Sequence, residues 1–250
     1  MKFDSGLGVF DKKKNVPQIL SGDDTLDELI GGGFHKDLIY LLFGDKRITS
    51  DILLKTSVLG QLRPNSQTLQ KQVQIAFVDG NNRFNPYNVS KLAASLQLSP
   101  TKVLENILIA RAFTWDQMVE LLENRISQLE KVKIVLISGI TSLFPNYQKD
   151  SFEGLLKAIS GIKNVLSTIK PLIVITAPLN IHSLFKPEGG KILSHFGQVL
   201  VLITDTERNT EYLLLQHPSL PERQILKWKK RRPKRGLKKL PKNSTLDRWF

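Results

Sequence analysis

The chain has no cysteine, and only two methionines and three tryptophans in 250 residues. Without thiols, disulfides, thiolate metal sites and thiol nucleophiles are excluded. The four histidines, His35, His182, His195 and His217, are scattered without metal-ligand spacing, so neither a metal nor another cofactor is expected. No apolar run is long enough to span a bilayer. The opening Met-Lys-Phe-Asp-Ser-Gly lacks the apolar stretch of a signal peptide. A membrane is therefore not an expected partner, and a cytoplasmic location is expected.

Acidic residues are scarce at one end. Of 36 Lys and Arg and 23 Asp and Glu, residues 227–250 hold eleven and one, so this segment carries +10 of the net +13 and leaves +3 for the first 226 residues. The preceding part is close to neutral and ordinary in composition, 41% hydrophobic, which suits one α/β domain with a sizeable core. Three units are expected: a core over 1–226, a basic disordered segment over 227–242, and a C-terminal motif over 243–250.

The core is organised around the stretch Leu38 to Gly60. A six-residue apolar run ends at Phe43 and is broken by Gly44; an amphipathic helix with Ile52, Leu53, Thr56 and Leu59 on one face follows. This is the strand–loop–helix frame of a phosphate-binding loop, whose spacing is Gly-x-x-x-x-Gly-Lys-Ser/Thr. Counted from Gly44, the second glycine, the lysine and the hydroxyl fall on Thr49, Ser50 and Asp51. Threonine disfavours the inward-turned backbone, serine brings no charge, and aspartate brings the wrong one: two like charges ~4 Å apart repel by ~4 kcal/mol at an effective dielectric of ~20. The site reads as filled by its own side chains, with Thr49 or Ser50 capping the helix and Asp51 complementing its dipole. Unconventional phosphate binding through Lys46 or Arg47 is the rival reading.

Elsewhere the pattern alternates. Thr25, with Glu28 at the capping-box position, is read as the N-cap of a short helix ended by Gly31 to Gly33. Strands are expected at 73–78, 107–110, 132–137 and 172–176; helices are expected from Pro86, from Ser99-Pro100, over 115–129 and over 152–169. Strands at 199–204, 211–216 and 224–228 should form an antiparallel edge. The fold class is α/β, a doubly wound, mostly parallel sheet with antiparallel edge strands. Any ligand should sit at the strand ends marked by Gly44, Asp79, Ser138 and Thr176.

Five stretches in order carry a family likeness. Thr25-Leu-Asp-Glu-Leu-Ile-Gly-Gly-Gly-Phe, Phe77-Val-Asp-Gly-Asn-Asn-Arg-Phe-Asn-Pro, Asn106-Ile-Leu-Ile-Ala-Arg-Ala-Phe-Thr, Leu136-Ile-Ser-Gly-Ile-Thr-Ser-Leu-Phe and Gly189-Gly-Lys-Ile-Leu-Ser-His resemble landmarks of archaeal RadA and the wider RecA-like recombinases. The resemblance covers residues 21–228 and implies a RecA-like core. Ser138 stands where the family's strand-ending Asp binds magnesium, Asn81 where its catalytic Glu stands, and Ala177-Pro178 where a polar Asn-Gln pair follows the fifth strand. With Thr49, Ser50 and Asp51 added, the expectation is a core that is not an enzyme. The family's N-terminal DNA-binding domain and polymerisation motif are not evident. Its two DNA-facing loops correspond to 145–154 and 179–190, each with little positive charge.

The tail offers two further sites. Lys227, Lys229, Lys230, Arg231, Arg232, Lys234, Arg235, Lys238, Lys239 and Lys242 make ten of sixteen residues basic, broken by Pro233, Gly236 and Pro241. Such a segment suits phosphate contacts without sequence readout; a solubilising run or a localisation signal is the plainer reading. The final Asn243-Ser-Thr-Leu-Asp-Arg-Trp-Phe resembles the motif by which replication and repair proteins bind the sliding clamp PCNA. Leu246, Trp249 and Phe250 form its apolar plug, and Asn243 stands where Gln is usual; docking of these rings on the protein's own sheet is the alternative. Taken together, the expected function is that of a non-catalytic, RadA-like accessory in DNA repair, recombination or replication. Its expected partners are DNA, the clamp, and a further recombinase, nuclease or polymerase, in a nucleoid setting. An ATP-dependent recombinase regulator with an unconventional or partner-completed site is the alternative, as is a clamp-tethered nuclease or polymerase subunit.

Overall fold

A computed structural model of the chain describes residues 18–36, 38–62, 68, 73–145, 149–183 and 185–229. In order, the elements are α1 (Asp24–Leu29), β1 (Ile39–Gly44), α2 (Lys46–Leu59), β2 (Gln74–Asp79), α3 (Pro86–Ser95), α4 (Pro100–Glu105), β3 (Ile107–Arg111), α5 (Trp115–Glu120), β4 (Val132–Ser138), α6 (Lys149–Thr168), β5 (Leu172–Ala177), α7 (Gly190–Phe196), β6 (Val199–Asp205), β7 (Asn209–Gln216) and β8 (Arg223–Trp228).

All eight strands join one sheet in the order β3-β2-β4-β5-β1-β6-β7-β8. The pairings from β3 to β6 are parallel, and β6-β7 and β7-β8 are antiparallel. The doubly wound, mostly parallel sheet with an antiparallel edge is thus present as expected. Its central strands are largely apolar and buried because helices cover both faces. On one face Tyr40, Leu42, Phe77, Leu136 and Val174 pack with α1 to α4; on the other Leu41, Phe43, Val78, Val135 and Ile175 pack with α5 to α7. The edges β3 and β8 alternate in burial instead.

Three local expectations need correction. The N-cap of α1 is Asp23, not Thr25: its carboxylate accepts the amides of Thr25 and Leu26. The helix expected over 115–129 is α-helical only to Glu120, continuing as a π-turn over Leu121–Arg125 and a 3-10 turn over Ile126–Gln128. Gly161 of α6 lies against that wider turn, where a Cβ would stand 2.1 Å from the Leu122 carbonyl oxygen. The third concerns α2, which begins at Lys46, ahead of the start implied by a cap at Thr49 or Ser50.

β1 leads into α2 at the centre of the sheet, with later strands on both sides. This is the switch point of a doubly wound fold, where strand carboxyl ends leave a crevice. Among the described residues no helix is long and apolar enough to cross a membrane.

Candidate functional site

At the head of the crevice β1 passes into α2 with no intervening loop. Gly44 has φ +116°, and a Cβ there would lie 2.1 Å from the backbone oxygen of Ile203. The same oxygen accepts the amide of Asp45 at 2.8 Å, so the turn is held against β6. Asp45 is the N-cap of α2: its Oδ1 accepts the amides of Arg47 at 2.9 Å and Ile48 at 3.1 Å. These first-turn donors are those a helix N-terminus could otherwise turn toward a phosphate.

Thr49, Ser50 and Asp51 therefore do not fill the site in the way the sequence suggests. Thr49 is buried within the first turns, its hydroxyl donating to the Asp45 carbonyl at 3.0 Å. Ser50 is buried, and its Oγ has no hydrogen-bond partner. Asp51 points to solvent and pairs with Lys55 at 2.8 Å, one turn on. The residue that closes the turn is Asp45. Without a second glycine to unwind residues 46–49, nothing opposes their helical state, and a carboxylate at the cap position stabilises it.

The neighbouring strand ends meet through neutral groups. The Ser138 hydroxyl donates to Asn81 Oδ1 at 2.8 Å. The Gly139 amide donates to Thr176 Oγ1 at 2.8 Å, and the Gly80 amide to the Ser138 carbonyl at 2.9 Å. Asp79, fully buried, accepts the amides of Arg83 and Phe84, both at 3.0 Å, and lies 3.4 Å from Arg111 Nε. It is a structural anchor for the turn after β2.

Beyond these ends lies a cavity of about 360 Å³, lined among others by Lys46, Asn81, Asn82, Arg83, Phe113 and Ser142. Ser142 Oγ is buried without a hydrogen-bond partner. Burial pushes the Glu188 carboxyl up from its ordinary value, against the pull of Thr141 and the charge of Lys46. A magnesium nucleotide does not fit the β1–α2 turn in the usual manner. The turn's amides are taken by Asp45, and the Asn81–Ser138 pair provides no carboxylate for metal or water. No step through that group follows from this geometry.

Residues 12–160, more than half of the chain, match the Rad51 family model. The chain belongs to the Rad51 family. Its relatives include the meiotic recombination protein DMC1 homologs of Glycine max, 24% identical over 232 residues (84% of this chain, 66% of that protein), and of Arabidopsis thaliana, 26% identical over 227 residues (82% and 64%). The DNA repair and recombination protein RadA of Cenarchaeum symbiosum (strain A) is 26% identical over 144 residues, 57% of this chain and 36% of that protein. The chain thus spans about two thirds of the length of the DMC1 homologs.

Membership in the Rad51 family supports a role in DNA recombination and repair. It also overturns the expectation that the chain is not an enzyme. That expectation rests on side chains changed at single positions, whereas the relatives are DMC1 and RadA recombination proteins, an enzymatic family, and the family match runs through β1, β2 and β4, where most of those positions lie. The altered β1–α2 turn is accordingly a local feature of a Rad51-family protein.

The positions corresponding to the family's DNA-facing loops differ from each other. Residues 146–148 lie outside the described residues, and Lys149 already opens α6. The segment after β5 is tied down by an Asn180 amide to Lys186 carbonyl bond and a Glu188 amide to Pro178 carbonyl bond, with Ile181 and Phe185 exposed.

Of the basic residues assigned to DNA, two are described. Lys227 lies within β8 and pairs with Asp23 at 3.1 Å; Lys229 follows β8 and pairs with Asp205 at 2.8 Å. The sheet therefore runs past residue 226. Lys230, Arg231, Arg232, Lys234, Arg235, Lys238, Lys239 and Lys242, and the clamp-motif residues Asn243, Leu246, Trp249 and Phe250, lie outside the described residues.

Sequence reasoning missed three aspartates. Asp23 would be raised by burial, but the Tyr212 hydroxyl at 2.8 Å and Lys227 outweigh this and hold it below the usual carboxylate range. Asp205 is lowered by its hydrogen bond to Lys229, against some burial, with help from Thr210 and Arg47. Asp45 caps α2. Asp23 and Asp45 had a sequence signal, each a cap-type residue directly ahead of a helical run, and Asp205 had none.

Proposed function

We propose that this Rad51-family protein acts in recombination and repair as a DNA-bound accessory tethered to the sliding clamp, which also brings it to replication sites. The observation that supports this most is the run of eight basic residues in the thirteen from Lys230 to Lys242, which follows on the sheet's last strand. Those side chains suit strand backbones of any sequence. The octapeptide after them supports the tether: Leu246, Trp249 and Phe250 are spaced i, i+3 and i+4, the spacing that brings three large apolar groups together when a segment turns helical on a partner. In this reading the core contacts a further repair or replication protein.

The clamp contact is testable by numbers. Burial of the three side chains contributes a gross ~2–3 kcal/mol each, and ordering a segment on binding costs ~2–5 kcal/mol. The remainder, with backbone contacts, suits a dissociation constant on the order of micromolar. The experiment is a titration of PCNA with wild-type protein and with Trp249→Ala/Phe250→Ala at about 0.5 M salt, where exposed charges are screened within a few Å. Binding by the wild type alone is expected; equal binding by both, or by neither, refutes the tether.

A second reading is favoured by Lys46. A lysine four residues ahead of the usual position lines the cavity with Asn81, Asn82 and Arg83, which suits a recombinase regulator whose phosphate site is unconventional or completed by a partner. Calorimetric titration with magnesium ATP, comparing wild type with Lys46→Ala, tests it: binding lost in the variant supports the reading, and binding indifferent to Lys46 removes it.

A further inference from the structure

Trp228 ends β8, the outermost strand, and is 69% exposed. The backbone beneath it is well anchored. Trp228 pairs in register with Asn209, and the next amide, of Lys229, donates to the Arg208 carbonyl at 2.9 Å. Side chains on both flanks are tied as well: Lys227 to Asp23, and Lys229 to Asp205 and to the Thr206 carbonyl. An indole is thus held out from a fixed strand end. In sequence it is flanked by Lys227 and Lys229 and followed by Lys230, Arg231 and Arg232, with no acid until Asp247.

We propose that Trp228 is a stacking platform for the bases of single-stranded nucleic acid. This deepens the reading of the following basic run as a DNA contact and rests on it. Two kinds of interaction are separated along the chain. Phosphate contacts by the run beyond Lys229 act on single and double strands alike and weaken with salt. Stacking on an indole requires a base whose face is free, which a duplex does not offer, and it tolerates any sequence because every base has a π-face. A ring presented from an ordered strand loses little freedom on binding. Because Lys227 and Lys229 are already paired with carboxylates, their main part is to set the strand end, and the phosphates fall to the residues after them. The exposed Leu226, two residues earlier, stands on the same side of β8 as Trp228 and extends the apolar surface beside the ring.

The experiment uses the full chain, an oligothymidylate of about twenty nucleotides and a duplex of about the same length, titrated by fluorescence anisotropy at one salt concentration. Trp228→Ala should lower single-strand affinity roughly five- to hundredfold, the range of one base–aromatic stack, and leave duplex affinity within about twofold. Trp228→Phe should retain most single-strand binding. The variant Lys230→Ala/Arg231→Ala/Arg232→Ala should lower both affinities. In a Trp249→Phe background the remaining indoles are Trp228 and the buried Trp115, so oligothymidylate should quench the fluorescence, and Trp228→Ala should remove the quenching. Equal loss on both DNAs, no loss on either, or quenching that persists without Trp228 overturns the stacking role. Wild-type protein that binds neither DNA overturns the DNA reading itself, a result distinct from binding that ignores Trp228.

Discussion

The Ser138 hydroxyl donates to the Asn81 amide oxygen across 2.8 Å, joining the ends of β4 and β2. These are the two positions at which the sequence resemblance implies carboxylates in other family members. Here they satisfy one another without charge. The pair is coherent with the neighbouring turn, where Asp45 takes up the first-turn amides of α2. Both are neutral or self-paired arrangements at the centre of a crevice whose outer wall, through Lys46 and Arg83, remains cationic.

The Asp45 cap should be measurable in stability. Asp45→Ala removes the acceptor of two amides and is expected to cost about 1 kcal/mol, while Asp45→Asn should retain most of it. Urea unfolding with an unchanged denaturant slope reads the difference. A loss common to both variants would mean that charge, not capping, stabilises the turn.

Gly44 should tolerate no side chain. Its φ of +116° disfavours other residues, and the clash at 2.1 Å is with backbone of β6, which cannot rotate away. Gly44→Ala is expected to cost roughly 3 kcal/mol or more, seen as a large fall in the urea midpoint. A change within experimental error would mean that β6 shifts freely, against its parallel pairing with β1.

Asp23 should make stability depend on acid pH. Its folded pKa is lowered, so its contribution is present above the unfolded value, about 3.9, and is lost as pH falls through the lower folded value. Asp27, raised by burial with only partial relief from Ser21, acts with the opposite sign. The difference between wild type and Asp23→Asn isolates the first effect: it should be largest near pH 7 and shrink below about pH 4. A difference constant from pH 7 to 3 would assign the loss to packing around Tyr212.

Removal of residues 230–250 should abolish most DNA binding while leaving β8 whole. If about six charges meet phosphates, log affinity for duplex should fall with log salt at a slope of roughly −5. Truncation after Leu226 is the poorer test, because it removes Lys227 from Asp23 and Trp228 from its register with Asn209. Undiminished binding by the shorter chain would move the contact to the segments after β4 and β5.

The order of strands and helices was legible in the sequence because buried parallel strands are short apolar runs and their crossover helices repeat with helical period. Gly44, Asp79, Ser138 and Thr176 were placed at the strand ends by the same logic, and five ordered stretches were enough to indicate the family. What fills the β1–α2 turn was not legible. Spacing points to residues 49–51, but whether the chain after Gly44 loops or coils depends on one competition, between a phosphate-cradling backbone and a helix capped by Asp45, and on the Ile203 carbonyl that holds the turn from 158 residues away in the chain. The same holds for Asp23 and Asp205. Neither shows its distant partners in sequence: Asp23 gains Tyr212 and Lys227, and Asp205 gains Thr210 and Lys229, only when β7 and β8 fold beside β6. Local pattern determines which elements form; long-range pairing of charges and amides decides which side chains remain free to act.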